Sequence, residues 1–275
     1  MPKARASTPV GSPAAVAGTA AFSKFMQVLQ LVADAPEPPS AADLTRGSGF
    51  PRPTLHRIVA ALLAEGLLCA GSRAGTFVLG TRLIQLASRS WGRSDLRLAA
   101  SEPLKQLRDS TGETVHLAVY SGGRMVYIEK LESPSAVRMA SRIGASVAMH
   151  STAVGKAYLA GLSAARREAL LADLVLFALT PKTVTTLGAL RRQLDAVQSR
   201  GWSVDDEENE TDIQCFGAAI AGGQGAPVAA ISVSTLRFRQ KLDSQKAYVE
   251  PLLAACRVIS ANIADTPTLA DGALP

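Results

Sequence analysis

The 275-residue sequence predicts an α+β protein in two parts, a basic helical front third and a larger rear where strands mix with helices. Three observations carry this. Apolar residues recur at helical spacing up to about Ser110, and from Glu113 the apolar period drops to two. Lysine and arginine outnumber aspartate and glutamate eleven to five up to Arg97, while the remainder balances at eighteen of each, so the whole surplus of +6 sits in front. Finally, the stretch Pro51 to Gly66 has the form of a short helix with one apolar and one cationic face.

Residues 1–20 are rich in Ala, Pro, Gly, Ser and Thr and lack the Leu-rich core of a secretory signal, which predicts a disordered arm. Phe22, Phe25, Met26, Leu29 and Val32 then share one helical face, and Pro36-Glu-Pro-Pro39 breaks the helix. Ser40 and Asp43 make a capping-box-like start, with Asp where Glu is usual, for a short helix through Arg46. Gly47-Ser-Gly49 supplies a turn. In the next helix Leu55, Ile58, Val59, Leu62 and Leu63 form the buried face, and Arg52, Thr54, His56 and Arg57 lie opposite near its start. Pro51 and Pro53 are tolerated there because first-turn amides have no intrahelical partner to lose. Two short apolar runs, Leu67 to Ala70 and Thr76 to Leu79, flank a turn at Gly71 to Gly75 and complete a winged helix-turn-helix over residues 21–80. An ordinary helical hairpin with a small sheet has the same pattern. The charge asymmetry favours a polyanion-binding module.

Thr81 to Trp91 reads as a linker helix (residues 81–94 with its break at Gly92 to Ser94), carrying Leu83, Ile84, Leu86 and Ala87 on its apolar side and Arg82, Arg89 and Arg93 outward. Asp95 to Ser110 is a second helix with Leu96, Leu98, Leu104 and Leu107 apolar and Ser94 as its cap. Thr114 to Tyr120, a turn at Ser121 to Arg124, and Met125 to Glu129 predict a hairpin, with a third strand at Ala136 to Ala140. Helices follow at Met149 to Ala160, Ser163 to Leu174 and Thr185 to Ser199. An acidic segment, Gly201 to Asp212, leads into strands at Ile213 to Ile220 and Pro227 to Ser234, separated by a turn at Gly222 to Gly225. Tyr248 to Ile263 is a closing helix, and the tail from Thr266 is loose.

Hydrophobic content of 47% with 19% charged residues fits a globular chain, and no apolar run is long enough to span a bilayer, so no membrane partner is expected. Cys69, Cys215 and Cys256 are widely spaced and form no C-x-x-C pair, which points to a reduced, cytoplasmic compartment without structural zinc or another cofactor. Gly155-Lys156 is no P-loop, because His150 stands where the first glycine belongs and Ala157 replaces the hydroxyl residue. His150 beside Ser151 lacks the nucleophile-elbow pattern, and His116, inside a strand, reads as packing.

Five separate motifs in order resemble the IclR family of transcriptional regulators over roughly Ala20 to Ile263. They are Pro51-Arg-Pro-Thr-Leu-His-Arg57, Thr76-Phe-Val-Leu-Gly80, Met149-His-Ser-Thr-Ala-Val-Gly-Lys-Ala-Tyr-Leu-Ala160, Gly201-Trp-Ser-Val-Asp-Asp-Glu-Glu208 and Ala230-Ile-Ser-Val-Ser234. The resemblance implies a GAF-like α/β effector-binding domain over residues 95–265, and dimers that assemble to tetramers. It also implies operator DNA and a small-molecule effector as partners, and no enzymatic activity. For DNA, Arg52, Thr54, His56, Arg57 and the wing residue Arg73 are the candidates; each could also be a solvated surface residue. For the effector, the loop Ser151, Thr152, Ala153, Val154 and Gly155 would offer helix-start amides to an organic acid. Asp205, Ile213, Cys215, Ser232 and Ser234 match the rest of the family's pocket. The alternative is that Ser151 and Thr152 merely cap and Cys215 is core. Two departures stand out: Pro53 replaces a common Ser or Thr, and Thr211-Asp212 stands where a Gly is common. The expected function is ligand-responsive regulation, repression by default. A metabolite sensor or enzyme with a basic docking module is the other class.

Overall fold

The computed structural model describes residues 19–91, 95–137, 139–222 and 225–264, with the backbone alone at 88–91 and 95. The arm before Thr19, the Gly92 to Ser94 break, the side chains of Arg89 and Arg93 and the tail from Thr266 lie outside the described residues. The chain divides into two compact units between Ser94 and Asp95.

The first unit contains α1 (Ala20–Asp34), α2 (Ala41–Ser48), α3 (Arg52–Ala64), β1 (Leu68–Ala70), β2 (Phe77–Leu79) and α4 (Thr81–Trp91). Its core is Val28, Leu29 and Val32 of α1, Leu44 of α2, and Leu55, Ile58, Val59 and Leu62 of α3. The Ser40–Asp43 capping box forms: the Ser40 amide donates to Asp43 Oδ2 at 2.9 Å and the Asp43 amide to Ser40 Oγ at 3.3 Å. Gly49 ends α2 in the left-handed region at φ 69°, where glycine carries no steric penalty. β1 and β2 pair antiparallel, Leu68 opposite Leu79, as the wing. Three apolar stripes are narrower than their spacing predicts. Phe22 and Met26 of α1 are exposed although Phe25 between them packs on the core, Leu63 falls at the edge of the buried arc of α3, and Ile84 and Leu86 of α4 are exposed.

The second unit runs α5 (Asp95–Thr111), β3 (Thr114–Ser121), β4 (Arg124–Leu131), β5 (Ser146–Val147), α6 (Ala153–Gly161), α7 (Ala164–Ala172), α8 (Leu187–Arg200), β6 (Ser203–Asp206), β7 (Ile213–Ala221), β8 (Pro227–Leu236) and α9 (Glu250–Ile263). Its six strands form one antiparallel sheet in the order β5-β4-β3-β8-β7-β6. α5 and α9 pack on one face and α6 and α8 on the other, each with its own hydrophobic core, the GAF-like arrangement. The predicted third strand at Ala136 to Ala140 is absent: its described residues are irregular, and the short β5 pairs with β4 instead. The acidic segment contains β6, which its charge concealed. Leu98, expected on the buried side of α5, is exposed, and Ala100 takes its place in the core.

Candidate functional site

Strand alternation sets the floor of a cavity in the second unit. Val115 and Leu117 of β3, Phe216 and Ala218 of β7, and Ile231 and Val233 of β8 face α5 and α9. His116, Cys215, Ser232 and Ser234 therefore face the other way. Register brings them together: His116 lies opposite Ser232, Cys215 opposite Ser234, and Asp205 opposite Cys215. Tyr127 of β4 joins the row, its ring stacked on His116 with centroids 4.5 Å apart. The cleft they line has a volume of about 260 Å³.

The walls come from three segments. Met139, Ala140, Ser141 and Ala145 approach from the irregular strap with Val147 of β5, Thr152, Ala153 and Val154 from the start of α6, and Asn209 and Glu210 from the turn after β6 with Ile213 at the start of β7. The strap is tied down by the Lys130 ammonium, which donates to the carbonyls of Met139 at 2.9 Å and Ser141 at 2.7 Å, and by a 2.7 Å bond between His116 Nε2 and Ser141 Oγ. α6 approaches β7 closely. A Cβ on Gly155 would stand 2.4 Å from the Met149 carbonyl oxygen, and one on Gly217 would stand 2.6 Å from that of Ala153, so both positions admit glycine alone without displacement. Thr152 caps α6 by accepting from the Gly155 amide at 3.1 Å.

Of the ten sequence-derived effector candidates, Thr152, Ala153, Val154, Asp205, Ile213, Cys215, Ser232 and Ser234 line the cavity. Ser151 and Gly155 do not. Ser151 is buried and donates to Asn209 Oδ1 at 3.3 Å, and Gly155 serves packing. His116 and Tyr127 were not anticipated as wall residues. A polar residue interrupting an apolar strand was the one available signal. The strap residues carried none.

The polar chemistry is unusual in its loose ends. Asp205 Oδ1 accepts from the amides of Glu208 at 2.8 Å and Asn209 at 3.2 Å, but Oδ2 has no protein partner. The hydroxyls of Tyr127 and Ser232 have none either, among the described residues. Asp205 and Ser232 are each only 3% exposed. Burial pushes the Asp205 carboxyl up to about 7, against the lowering influence of Lys156 and the two amide bonds. Burial, aided by Lys130, drives His116 down to about 3, so it is a neutral imidazole at physiological pH. The Cys215 thiol and Tyr127 phenol are both raised by burial and stay protonated. Such displaced groups gathered in a cavity are a functional-site signature.

Behind the cavity, the Lys156 ammonium, 1% exposed, meets Glu208 Oε1 at 2.6 Å and Gln193 Oε1 at 3.0 Å. The turn that carries Glu208 is held from both sides, with Thr183 Oγ1 donating to the Glu208 carbonyl at 2.6 Å and the Arg237 amide to that of Asp212 at 2.8 Å. Asp212 sits at φ 64°, the left-handed region. That conformation is why glycine suits this position. Asp212→Gly is expected to raise stability by up to about 1 kcal/mol, read as a small upward shift in melting temperature; a loss of stability would mean that the Asp212 side chain holds the turn.

In the first unit, Arg52, His56 and Arg57 are exposed along one side of the start of α3, and Thr54 is half-buried. Neither Arg52 nor Arg57 has an ion-pair partner among the described residues, whereas Arg73 on the wing reaches Glu37 Oε2 at 3.0 Å. Pro51 provides no side-chain cap, so the first amides of α3 stay open. His150 and Ser151 make no nucleophile–base contact: His150 Nε2 bonds the Phe177 carbonyl at 3.0 Å. No group of His, Cys, Asp and Glu among the described residues is arranged to hold a metal, and no described helix is long and apolar enough to cross a membrane.

A helix-turn-helix with an unpaired cationic helix start, encoded in one chain with a cavity-bearing α/β unit, defines a class: DNA-binding regulators with a second sensory domain. Comparison with known proteins makes the assignment specific. A family model described as IclR helix-turn-helix domain matches residues 22–69, and one described as Bacterial transcriptional regulator IclR C-terminal matches residues 89–261. The HTH-type transcriptional regulator XynR of Escherichia coli is 32% identical over 216 residues, 78% of this chain and 86% of that protein. The transcriptional repressor IclR of the same organism is 30% identical over 216 residues, 78% of each. A crystal structure of an IclR homologue from Microbacterium hydrocarbonoxydans, complexed with 4-hydroxybenzoate, superimposes with a TM-score of 0.76 at 26% identity, covering 89% of this chain and 99% of that one. The chain belongs to the IclR family and is a transcriptional regulator with a helix-turn-helix DNA-binding domain. The enzyme alternative is set aside by that membership.

Proposed function

We propose that the protein is a ligand-controlled repressor of the cytoplasm, where the chromosome lies. Its start of α3 reads operator DNA, and its cavity binds a small organic acid or aromatic metabolite. The observation that carries this is the cavity itself, with three polar atoms that find no partner in the protein. These atoms open into the cavity, and polar groups converging on a concave site are suited to a ligand. The 4-hydroxybenzoate held by the homologue is a molecule of this size and kind. Repression accords with the 30% identical relative named as a repressor.

On DNA, Arg52, Thr54, His56 and Arg57 would meet base edges and phosphates while Arg73 reaches from the wing. A dimer, or a tetramer built from dimers, would place two such helices on a pseudo-palindromic site. The ligand acts by favouring either the DNA-competent or the incompetent arrangement of the assembly. Arg57→Ala is expected to weaken operator binding about tenfold or more and to leave ligand binding unchanged, checked by gel shift at matched salt and by calorimetry. Equal operator affinity would remove α3 from the interface.

A further inference from the structure

We propose that Glu37 is a built-in competitor for DNA: it pairs the one cation of the wing, Arg73, and that pair must open before the wing can grip a phosphate. The inference rests on Arg73 being a DNA contact. Residues 68–79 carry a single charged side chain, that of Arg73, and its Nη2 stands 3.0 Å from Glu37 Oε2.

The pairing is set by the backbone on both sides. Glu37 lies in the Pro36-Glu-Pro-Pro39 turn between α1 and α2, where the proline rings fix their own φ and hold the residues before them extended. The wing is fastened to that turn. The Phe77 amide donates to the Pro39 carbonyl at 3.0 Å, and Thr76 forms an antiparallel bridge with Ser40. A Cβ on Gly71 would stand 3.4 Å from Pro38 Cβ, so the two turns touch. Thr76 also donates to the Arg73 carbonyl, from its hydroxyl at 2.6 Å and from its amide at 3.2 Å. Both members of the ion pair are thus anchored at the main chain, and only their side chains are free to move.

The side chains of Arg73 and Glu37 are 66% and 76% exposed, and a pair so wet biases an equilibrium by about fivefold at most. A DNA phosphate competes well against it, because a cation that meets the duplex also releases condensed counterions. Arg73 can therefore change partners, at the cost of the pair. Asp43, another acid whose charge reaches Arg73, is committed to Ser40 and Arg46. Arg52 and Arg57 of α3 have no ion-pair partner to give up among the described residues. The restraint falls on the wing, and since phosphate contacts carry no sequence information, it acts on how tightly DNA is held rather than on which DNA is chosen.

The test is fluorescence anisotropy of the full-length protein with a duplex from the gene's upstream region and a scrambled duplex, at low and physiological salt. Glu37→Gln is expected to tighten binding to both duplexes by about three- to fivefold at low salt, and by less at physiological salt. In an Arg73→Ala background the same substitution should change affinity by less than about twofold. An equal gain in that background overturns the proposal, because Glu37 would then repel the phosphates directly. Weaker or unchanged binding by Glu37→Gln, while Arg73→Ala weakens both complexes, leaves Arg73 on the DNA and removes Glu37 as its competitor. If Arg73→Ala alone leaves both affinities unchanged, the wing is no DNA contact, and the reading beneath the proposal falls with it.

Discussion

Replacing Lys156 with Met is expected to destabilise the protein by about 3–5 kcal/mol, a fall in melting temperature on the order of 10 °C. The reason lies in burial. Lys156 and Glu208 expose 1% and 5% of their side chains, and the ammonium is 2.6 Å from Glu208 Oε1. Removing the cation leaves a carboxylate without its counter-charge where Glu208 Oε2 already has no partner, and brings that charge to bear on Asp205 nearby. The same physics predicts partial rescue. Lys156→Met combined with Glu208→Leu should recover most of the loss, because replacing both partners of a buried pair with apolar groups is often close to neutral. Denaturant titration of the two variants checks this. A single-variant loss below about 1 kcal/mol would mean that solvent reaches the pair.

The second large effect is a dependence of stability on pH that Asp205→Asn reshapes. The folded carboxyl titrates near 7, whereas its ordinary value is 3.8, so between about pH 4 and 7 the folded chain holds a proton that the unfolded chain has lost. Stability from this group therefore falls as pH rises through that window. His116 acts in the opposite sense. Its folded value near 3 lies below the ordinary 6.5, so the unfolded chain binds the extra proton and stability rises between about pH 3 and 6.5. In the wild type the two slopes largely cancel. Asp205→Asn removes one of them, and the variant should gain stability with rising pH, reaching on the order of 4 kcal/mol above wild type past pH 7. The groups around Asp205 are Lys156, Glu208, Glu210, Cys215 and Tyr127, and the amide disturbs none of their protein bonds. Parallel melting curves at pH 4.5 and 8 measure it. A variant whose stability tracks the wild type at both would show that Asp205 is ionised throughout. A carboxylate kept at such cost in a cavity wall fits selection for binding over stability.

The features legible in the sequence were those with local causes. The Ser40–Asp43 box, the glycine turn and the period of α3 each act within a few residues, so the helices, turn and wing could be placed from spacing, and the charge asymmetry favoured a helix-turn-helix over a plain helical hairpin. The cavity floor is another matter. His116, Ser232, Cys215, Asp205 and Tyr127 come from five strands, and only the pairing order β4-β3-β8-β7-β6 sets them side by side. Resemblance supplied three of the five, Ser232, Cys215 and Asp205, but a lone histidine in an apolar strand read as packing and Tyr127 carried no signal. The strap failed for a different reason. Val137, Met139 and Ala140 have strand-like composition, yet their described backbone pairs with no strand, because Lys130 and His116 hold the strap by its carbonyls and a serine hydroxyl. Similarly, residues 203–206 read only as part of an acidic segment, although they form a strand in which Asp205 is buried and its neighbour Asp206 is paired outward with Arg237 at 2.5 Å. At Asp212 the sequence departure had a backbone cause, a left-handed residue, that spacing does not reveal.

The central claim is that a cationic helix start recognises one DNA sequence under the control of a cavity ligand. Fluorescence anisotropy with a duplex from the gene's own upstream region, against a scrambled duplex at equal physiological salt, tests it most directly. Binding at least about a thousandfold tighter to the upstream duplex is expected, a preference that Arg57→Ala reduces and that a ligand of the cavity shifts. Equal affinity for both duplexes, with and without candidate metabolites, would contradict it.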